Sequence, residues 1–300
     1  MKRKLILCIC VIFNIGFTAN AQSYCDFIKK VREYQNSVKL NEHLEAEYQI
    51  PEVDTTSFDI NIYMSFFDKL TLKSGNKMFL VNIYGLYEGR PTLCVQDTAF
   101  NMDKFVDEIT TKYNQDIDSF VDQKKAKYIS ENYPEDKINR LDKFRENQKK
   151  SFTRNSALIQ YALDSSKRIC NNLIPEDTPE GYLQYLFFNQ MGEQFALFWH
   201  TLNLEKTVLC DNQDAEFFAT YFENRKEYFK YSKKEFDELL LTDLLPLIEL
   251  DSTYCKITWY EIHTHKGIFK KTYSIERKNP FNVKVIYKEN IATISKTFFY

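Results

Sequence analysis

Hydrophobic positions change their spacing several times along the chain, and each change predicts a new element. Over residues 23–48 they recur every three to four positions, which predicts a long amphipathic helix. Over 58–64 apolar and polar residues alternate, as they do in a half-buried strand. Two further strand-like runs, 78–84 and 92–96, are separated by glycine and proline. This part of the chain is therefore predicted to be a long helix beside a small antiparallel sheet.

The segment 101–150 is strongly charged, and its apolar residues recur at helical spacing. Pro134 starts a second helix there, since proline suits the first helical turn and the acids after it complement the helix dipole. We interpret the segment as a helical insertion or linker. The mature chain, 22–300, is predicted to be one domain, with 22–100 and 101–300 as an alternative subdivision.

The last two fifths of the chain are predicted to form a buried helix followed by an antiparallel meander. Thr178 and Pro179 form a helix start, and the helix to Met191 is apolar on nearly all sides. Short turns then separate four strand-like runs, which are 254–265, 268–277, 281–288 and 291–299. The predicted fold class is α+β, with a long N-terminal helix, a small antiparallel sheet, a charged helical middle and a C-terminal four-stranded antiparallel meander.

The N-terminus has the three zones of a secretory signal peptide. Lys2, Arg3 and Lys4 precede an almost uninterrupted apolar run over 5–17, and a small-x-small cleavage site ends at Ala21. The apolar run is shorter than the roughly 20 residues that a membrane span needs. We predict that residues 1–21 are a cleaved signal peptide, with an uncleaved anchor as the alternative. The protein is then exported, to the periplasm or to the outside.

The charge balance bears on the partners of the mature protein. Loss of three basic residues and no acidic ones with the signal peptide takes the formal net charge from −2 to −5. A mildly acidic chain lacks the basic face that nucleic acids and anionic membranes require. No later stretch is apolar for long enough to span a bilayer. The expected partner is therefore a protein or a carbohydrate ligand.

Cysteine usage does not indicate a disulfide scaffold. Two of the seven cysteines lie in the signal peptide, which leaves five scattered ones: Cys25, Cys94, Cys170, Cys210 and Cys255. An oxidising compartment allows one or two disulfides, and the odd count leaves at least one thiol unpaired within the chain. For most of these cysteines we expect a buried single thiol.

Glu261, His263 and His265 form the best candidate for a chemical site. On a strand, positions two apart project from the same face, so these three side chains would point together. Carboxylate and imidazole groups are ligands that zinc and other divalent metals accept. If Lys266–Gly267 forms a two-residue hairpin loop, however, Lys270 lies opposite His263, and its ammonium repels a cation. The alternative to a divalent metal site is thus a solvated strand face with no cofactor.

Two tryptophans are candidate binding residues. Trp259 lies on the same predicted strand face as Glu261, where an exposed indole ring would stack on a sugar or anchor a partner. The alternative is that Trp259 packs beneath a neighbouring helix. Trp199 and His200 end an apolar run and are a second candidate, with a structural role as the alternative.

Recognised catalytic motifs are absent from the sequence. There is no phosphate-binding glycine loop, nucleophile elbow, zinc-protease helix or kinase motif set. This favours a non-catalytic binding or interaction protein of the cell envelope or extracellular space. One alternative is an enzyme, either a metal-assisted hydrolase using Glu261, His263 and His265 or a glycosidase with unidentified carboxylates. A third hypothesis is an assembly factor of the envelope that uses its helices as contact surfaces.

Overall fold

The computed structural model describes residues 21–37, 59–82, 91–163, 169–192, 206–263 and 266–296. Its helices are α1 (21–37), α2 (Ile60–Ser65), α3 (Met102–Ser130), α4 (Glu135–Ser151), α5 (Arg154–Leu163), α6 (Pro179–Met191), α7 (Asn212–Glu223) and α8 (Lys233–Leu239). Its strands are β1 (Leu70–Leu72), β2 (Asn76–Asn82), β3 (Pro91–Asp97), β4 (Leu173–Pro175), β5 (Lys206–Leu209), β6 (Phe229–Tyr231), β7 (Leu247–Leu250), β8 (Tyr254–His263), β9 (Gly267–Glu276), β10 (Asn279–Ala292) and β11 (Ile294–Lys296). The α+β class is confirmed.

The main sheet has five antiparallel strands in the order β10-β9-β8-β5, with β7 also paired to β8. β5 and β7 share one edge of β8, because β5 pairs with its C-terminal half and β7 with its N-terminal half. Three smaller antiparallel pairs, β1–β4, β2–β3 and β6–β11, lie outside this sheet. β8 is the central strand, so the residues of β5, β7 and β9 that pair with it determine the surroundings of each β8 side chain.

Both faces of the central strand β8 are covered. On one face, Ile257 and Trp259 pack in a cluster with α1 and α6. On the other face, Tyr260 and Ile262 pack with α7 and α8. Successive strand residues point to opposite faces, so consecutive side chains of β8 are buried, one against each layer of helices. A charged side chain on this strand therefore lies in the interior and needs partners there.

Helix α6 is the buried element that the sequence predicts. The Thr178 hydroxyl accepts a hydrogen bond from the Gly181 amide at 3.1 Å and caps the helix, with Pro179 in the first turn. A Cβ at Gly181 would lie 2.2 Å from the Glu176 carbonyl oxygen, so only glycine fits this close approach. The cap and the glycine together set where α6 begins and how it enters the core.

Helix α1 is tied to the residue after β5 and to the first turn of α7. The Arg32 guanidinium donates to both carboxylate oxygens of Asp214 at 2.9 and 3.1 Å. The Cys25 thiol donates to the Cys210 carbonyl oxygen at 3.2 Å, and both cysteines are fully buried. Cys25, Cys210 and Cys255 are thus buried thiols, as expected for most of the cysteines.

Helices α3 and α4 form the predicted helical middle. Lys125 pairs with Asp142 near the turn at 2.6 Å, and Lys149 pairs with Asp118 further out at 2.7 Å. This order of ion pairs shows that the two helices are antiparallel. No side chain of α4 is buried, so polar contacts and exposed faces dominate the hairpin. Within the described ranges, none of the helices has the length and apolar character needed to cross a membrane.

The predicted strand over 58–64 is wrong, because residues 60–65 form helix α2. The Asp59 carboxylate accepts hydrogen bonds from the amides of Asn61 and Ile62, at 2.7 and 3.2 Å. This cap starts a helical turn that buries Tyr63, whose hydroxyl donates to the Gly192 carbonyl oxygen at 2.5 Å. The helix cap at Asp59 and the burial of Tyr63 thus outweigh the short alternating pattern, which alone predicts a strand.

The C-terminal meander is confirmed for β8, β9 and β10, whereas its fourth strand differs from the prediction. Glu289 and Asn290, the predicted turn, lie inside β10 opposite Lys270 and Phe269. β11 pairs with β6 instead of extending the main sheet. The described residues exclude nearly all of the predicted signal peptide and the second half of the predicted first helix. The division of the mature chain into one or two domains stays a prediction.

Candidate functional site

The hairpin between β8 and β9 fixes which side chains share a face. His263 lies opposite Gly267 and Glu261 opposite Phe269, so the loop has three residues, 264–266. The predicted two-residue loop at Lys266–Gly267 is therefore wrong. Gly267 itself starts β9 with a φ of 124°, which favours glycine.

This register shifts the predicted pairing by three positions, an odd number. Because side chains alternate between faces, an odd shift moves every β9 residue to the opposite face relative to β8. Lys270 consequently leaves the face of His263, contrary to the prediction, and Lys271 takes its place, opposite Trp259. Tyr273 shares that face, opposite Ile257.

Glu261 is the centre of a buried polar cluster. Its side chain is fully buried, and its Oε1 accepts hydrogen bonds from the Trp259 indole nitrogen at 2.8 Å and from the Tyr273 hydroxyl. Its Oε2 accepts one from the Lys271 ammonium at 2.5 Å and lies 3.1 Å from His263 Nε2. Both carboxylate oxygens are therefore held by donors on the same face of the sheet.

Lys206 and Gln190 complete the cluster from outside the hairpin. Lys206 begins β5 opposite His263, and its Nζ lies 3.6 Å from Glu261 Oε2. The same ammonium donates to Gln190 Oε1, near the end of α6, at 2.7 Å. We call the following set the Glu261 cluster: Glu261, Lys206, Lys271, His263, Trp259, Tyr273 and Gln190. It holds two ammonium groups and one carboxylate.

Burial and charge act against each other on the pKa of Glu261. Burial alone would raise this pKa, but the His263 hydrogen bond, the Lys206 charge and the Lys271 hydrogen bond together hold it well below its usual range. Burial lowers the pKa of the Lys206 ammonium, which the Glu261 charge opposes and the Lys271 charge reinforces. Burial and the Glu261 charge raise the pKa of Tyr273. Glu261 is accordingly ionised, and Tyr273 is a protonated donor.

The structure brings together only part of the predicted site. Glu261 and His263 lie side by side, as strand alternation predicts. Of the two alternatives for Trp259, the structure shows the packed one, because the indole is fully buried and donates to Glu261, so it offers no stacking surface. Trp199, His200 and His265 lie outside the described residues, and a binding role for Trp199 and His200 stays a prediction.

The predicted metal site is not assembled within the described part of the chain. No group of three or more His, Cys, Asp or Glu side chains able to hold a metal occurs there. Lys271 and Lys206 instead approach the Glu261 oxygen that a cation would use. Because ammonium groups repel a metal ion, these neighbours disfavour the predicted chemistry. His265 is not described, so the full ligand set stays a prediction.

Sequence reasoning missed Lys206, Lys271, Tyr273 and Gln190. A two-residue loop at Lys266–Gly267 implies that Lys271 and Tyr273 lie on the face opposite Glu261, whereas a three-residue loop before Gly267 places both on the Glu261 face. Lys206 and Gln190 come from distant elements, and no local pattern connects them to β8. No protein-family model, curated protein or solved structure matches the chain.

Proposed function

We propose that the protein is an exported, non-catalytic binding protein of the cell envelope or extracellular space, with the Glu261 cluster as its ligand site. The observation that carries the proposal is the state of Glu261, whose two oxygens are each held by donors inside the sheet. A general acid or base works best when its pKa lies near the working pH. Glu261 has a pKa far below that range, which supports a positioning role over proton transfer.

The accessible side of the cluster supports ligand binding. His263 keeps 21% of its side chain exposed and Lys206 keeps 15%, whereas Glu261 keeps none. Donors at the surface are thus held in place by a carboxylate beneath them. Donors fixed in advance by buried hydrogen bonds lose little freedom when they bind a ligand. Such an arrangement suits a small polar ligand at the edge of the sheet.

A ligand screen with product analysis tests binding against catalysis. Residues 22–300 are mixed with small metabolites and glycans, stabilising compounds are identified by their effect on Tm, and each is recovered and analysed by mass spectrometry. We expect a stabilising compound to be recovered unchanged. Glu261→Gln is compared with Glu249→Gln, an exposed carboxylate on β7. Conversion of a compound that is lost in Glu261→Gln and kept in Glu249→Gln would refute the proposal.

Export is tested separately with the full chain. Expression in a bacterium with an intact secretion system should yield a protein outside the cytoplasm that starts at Gln22. Ala21→Leu replaces the small side chain before the predicted cleavage site and should leave the longer form. A protein that stays in the cytoplasm with its N-terminus intact would contradict export.

A further inference from the structure

The Glu261 cluster carries more positive than negative charge. Lys206 and Lys271 both approach Oε2 of Glu261, at 3.6 and 2.5 Å. Among the described residues, no second carboxylate lies within 4.0 Å of either ammonium. One buried carboxylate is therefore the counter-charge for two ammonium groups, and His263 contacts the same carboxylate.

The excess positive charge of the Glu261 cluster lies in a largely buried place, where an uncompensated charge destabilises the fold. The side chains of Lys271 and Lys206 are only 10% and 15% exposed, so water screens their charges poorly. An ammonium removed from water without a compensating anion destabilises the fold, and a paired one does not to the same degree. The lowered pKa of Lys206 agrees with an incompletely compensated charge.

Basic groups continue along the same sheet face into β10. Lys288 lies opposite Lys271, and its ammonium is 4.3 Å from the centre of the Phe269 ring. Asn290 lies opposite Phe269. From β5 to β10, this end of the face thus presents Lys206, His263, Lys271 and Lys288, with Glu261 as the one carboxylate among its described residues.

We infer that the Glu261 cluster binds an oxyanion, namely the carboxylate or phosphate group of a small ligand. Such a group supplies the negative charge that the two ammonium groups lack, and it accepts hydrogen bonds from Lys206 and Lys271. The ligand is small because the cluster is largely buried. A nucleic acid does not fit, since a mature net charge of −5 repels a polyanion. The inference names the ligand class of the proposed binding function and rests on it.

Anion titration of residues 22–300 tests the inference. Inorganic phosphate and citrate represent the two sources of the oxyanion, and thermal unfolding and calorimetry in anion-poor buffer are the measurements. We expect at least one of them to raise Tm by about 2–3 °C at a concentration about ten times its Kd. The stronger response identifies the phosphate or the carboxylate group as the preferred oxyanion. No response to either probe would overturn the inference.

Variants separate the cluster from surface lysines. Lys206→Met should weaken binding at least about tenfold, since it removes a charged donor, and Lys206→Arg should restore most of it. Lys270→Met is the matched control, because Lys270 adjoins Lys271 but lies on the opposite face, and it should leave Kd unchanged. Without anion, Lys206→Met should melt no lower than the unmodified protein, because the excess charge is gone. Equal anion responses in Lys206→Met and Lys270→Met would mean adventitious surface binding and overturn the inference.

Neutral glycans are the control ligands that distinguish this inference from the proposed function. Stabilisation by a neutral glycan alone, unaffected by Lys206→Met, would overturn the oxyanion and leave a binding protein. Conversion of a probe to a product would refute the binding function itself.

Discussion

Glu261→Gln removes a negative charge from the interior and nearly keeps the shape of the side chain. The amide still accepts hydrogen bonds through its oxygen, so the packing around Trp259 changes little. Lys271 and Lys206, however, lose the only carboxylate that approaches them among the described residues. The substitution therefore tests how much the buried charge contributes, with little contribution from volume.

The expected loss of stability is about 3–5 kcal/mol, the range for breaking a buried ion pair by removing one partner. The upper part of the range applies because two ammonium groups, 10% and 15% exposed, are left without a counter-charge. An exposed pair would change stability by less than about 1 kcal/mol. Glu249→Gln on β7 provides that comparison, since Glu249 is exposed.

Urea unfolding at pH 7 in anion-poor buffer measures the loss. Repeating it at lower pH adds a second signature. The pKa of Glu261 is lower in the folded than in the unfolded chain, so its contribution is fully present above about pH 4.3 and declines as the pH falls below that value. The stability difference between the unmodified protein and Glu261→Gln should therefore begin to narrow below about pH 4.3 and keep narrowing as the pH falls to about 3.

The double variant Glu261→Gln/Lys271→Met supplies the critical comparison. If an unpaired buried ammonium causes the loss, removing Lys271 as well should recover a measurable part of it. A loss below about 1 kcal/mol in Glu261→Gln, or a double variant as unstable as the sum of both single variants, would refute the reasoning.

Three further predictions concern the frame around the cluster. Gly267→Ala should destabilise by about 2 kcal/mol or more in urea unfolding, because its Cβ would lie 2.2 Å from the Ala292 carbonyl oxygen, whereas Gly75→Ala, with open space around it, should lose only about 1 kcal/mol; equal losses would contradict this. Thr178→Ala removes the cap of α6 and should lower stability by about 1 kcal/mol, and no change would rule out the cap as a contributor. Burial raises the pKa of Cys255 to about 12, so iodoacetamide at pH 8 should modify it only after unfolding; rapid native labelling, read by mass spectrometry, would argue against its burial.

Local signals determined the elements that the sequence predicted correctly. The start of α6 follows from a capping threonine, a proline and an unbroken apolar run, all within a few residues. The segment 58–64 shows the limit of such signals, because alternation over seven residues also fits a short helix with one buried side chain. The helix forms because Asp59 caps two backbone amides, and because Tyr63 is buried in the core and hydrogen-bonded there.

The site depended on contacts that no local pattern contains. Strand alternation alone brought Glu261 and His263 together. Which β9 lysine shares their face depended on the loop length, since an odd shift of the strand register replaces Lys270 with Lys271 on that face. Lys206 joined the cluster because β5 pairs with the end of β8, a long-range pairing that the sequence does not specify. Prediction was therefore reliable for residues on one strand and failed where neighbouring strands contribute.

The loop length also changes which ligand Glu261 and His263 suit. With Lys270 across the strand and the face open to water, a carboxylate and imidazoles resemble metal ligands with one unfavourable neighbour. With Lys271 and Lys206 bound to Glu261 in the interior, the carboxylate is already neutralised and the remaining charge is positive. A cation would have to displace a buried ammonium and leave it unpaired, whereas an oxyanion would pair with it. The sign of the excess charge, set by strand register, therefore favours an anionic ligand at residues that resemble a metal site in the sequence.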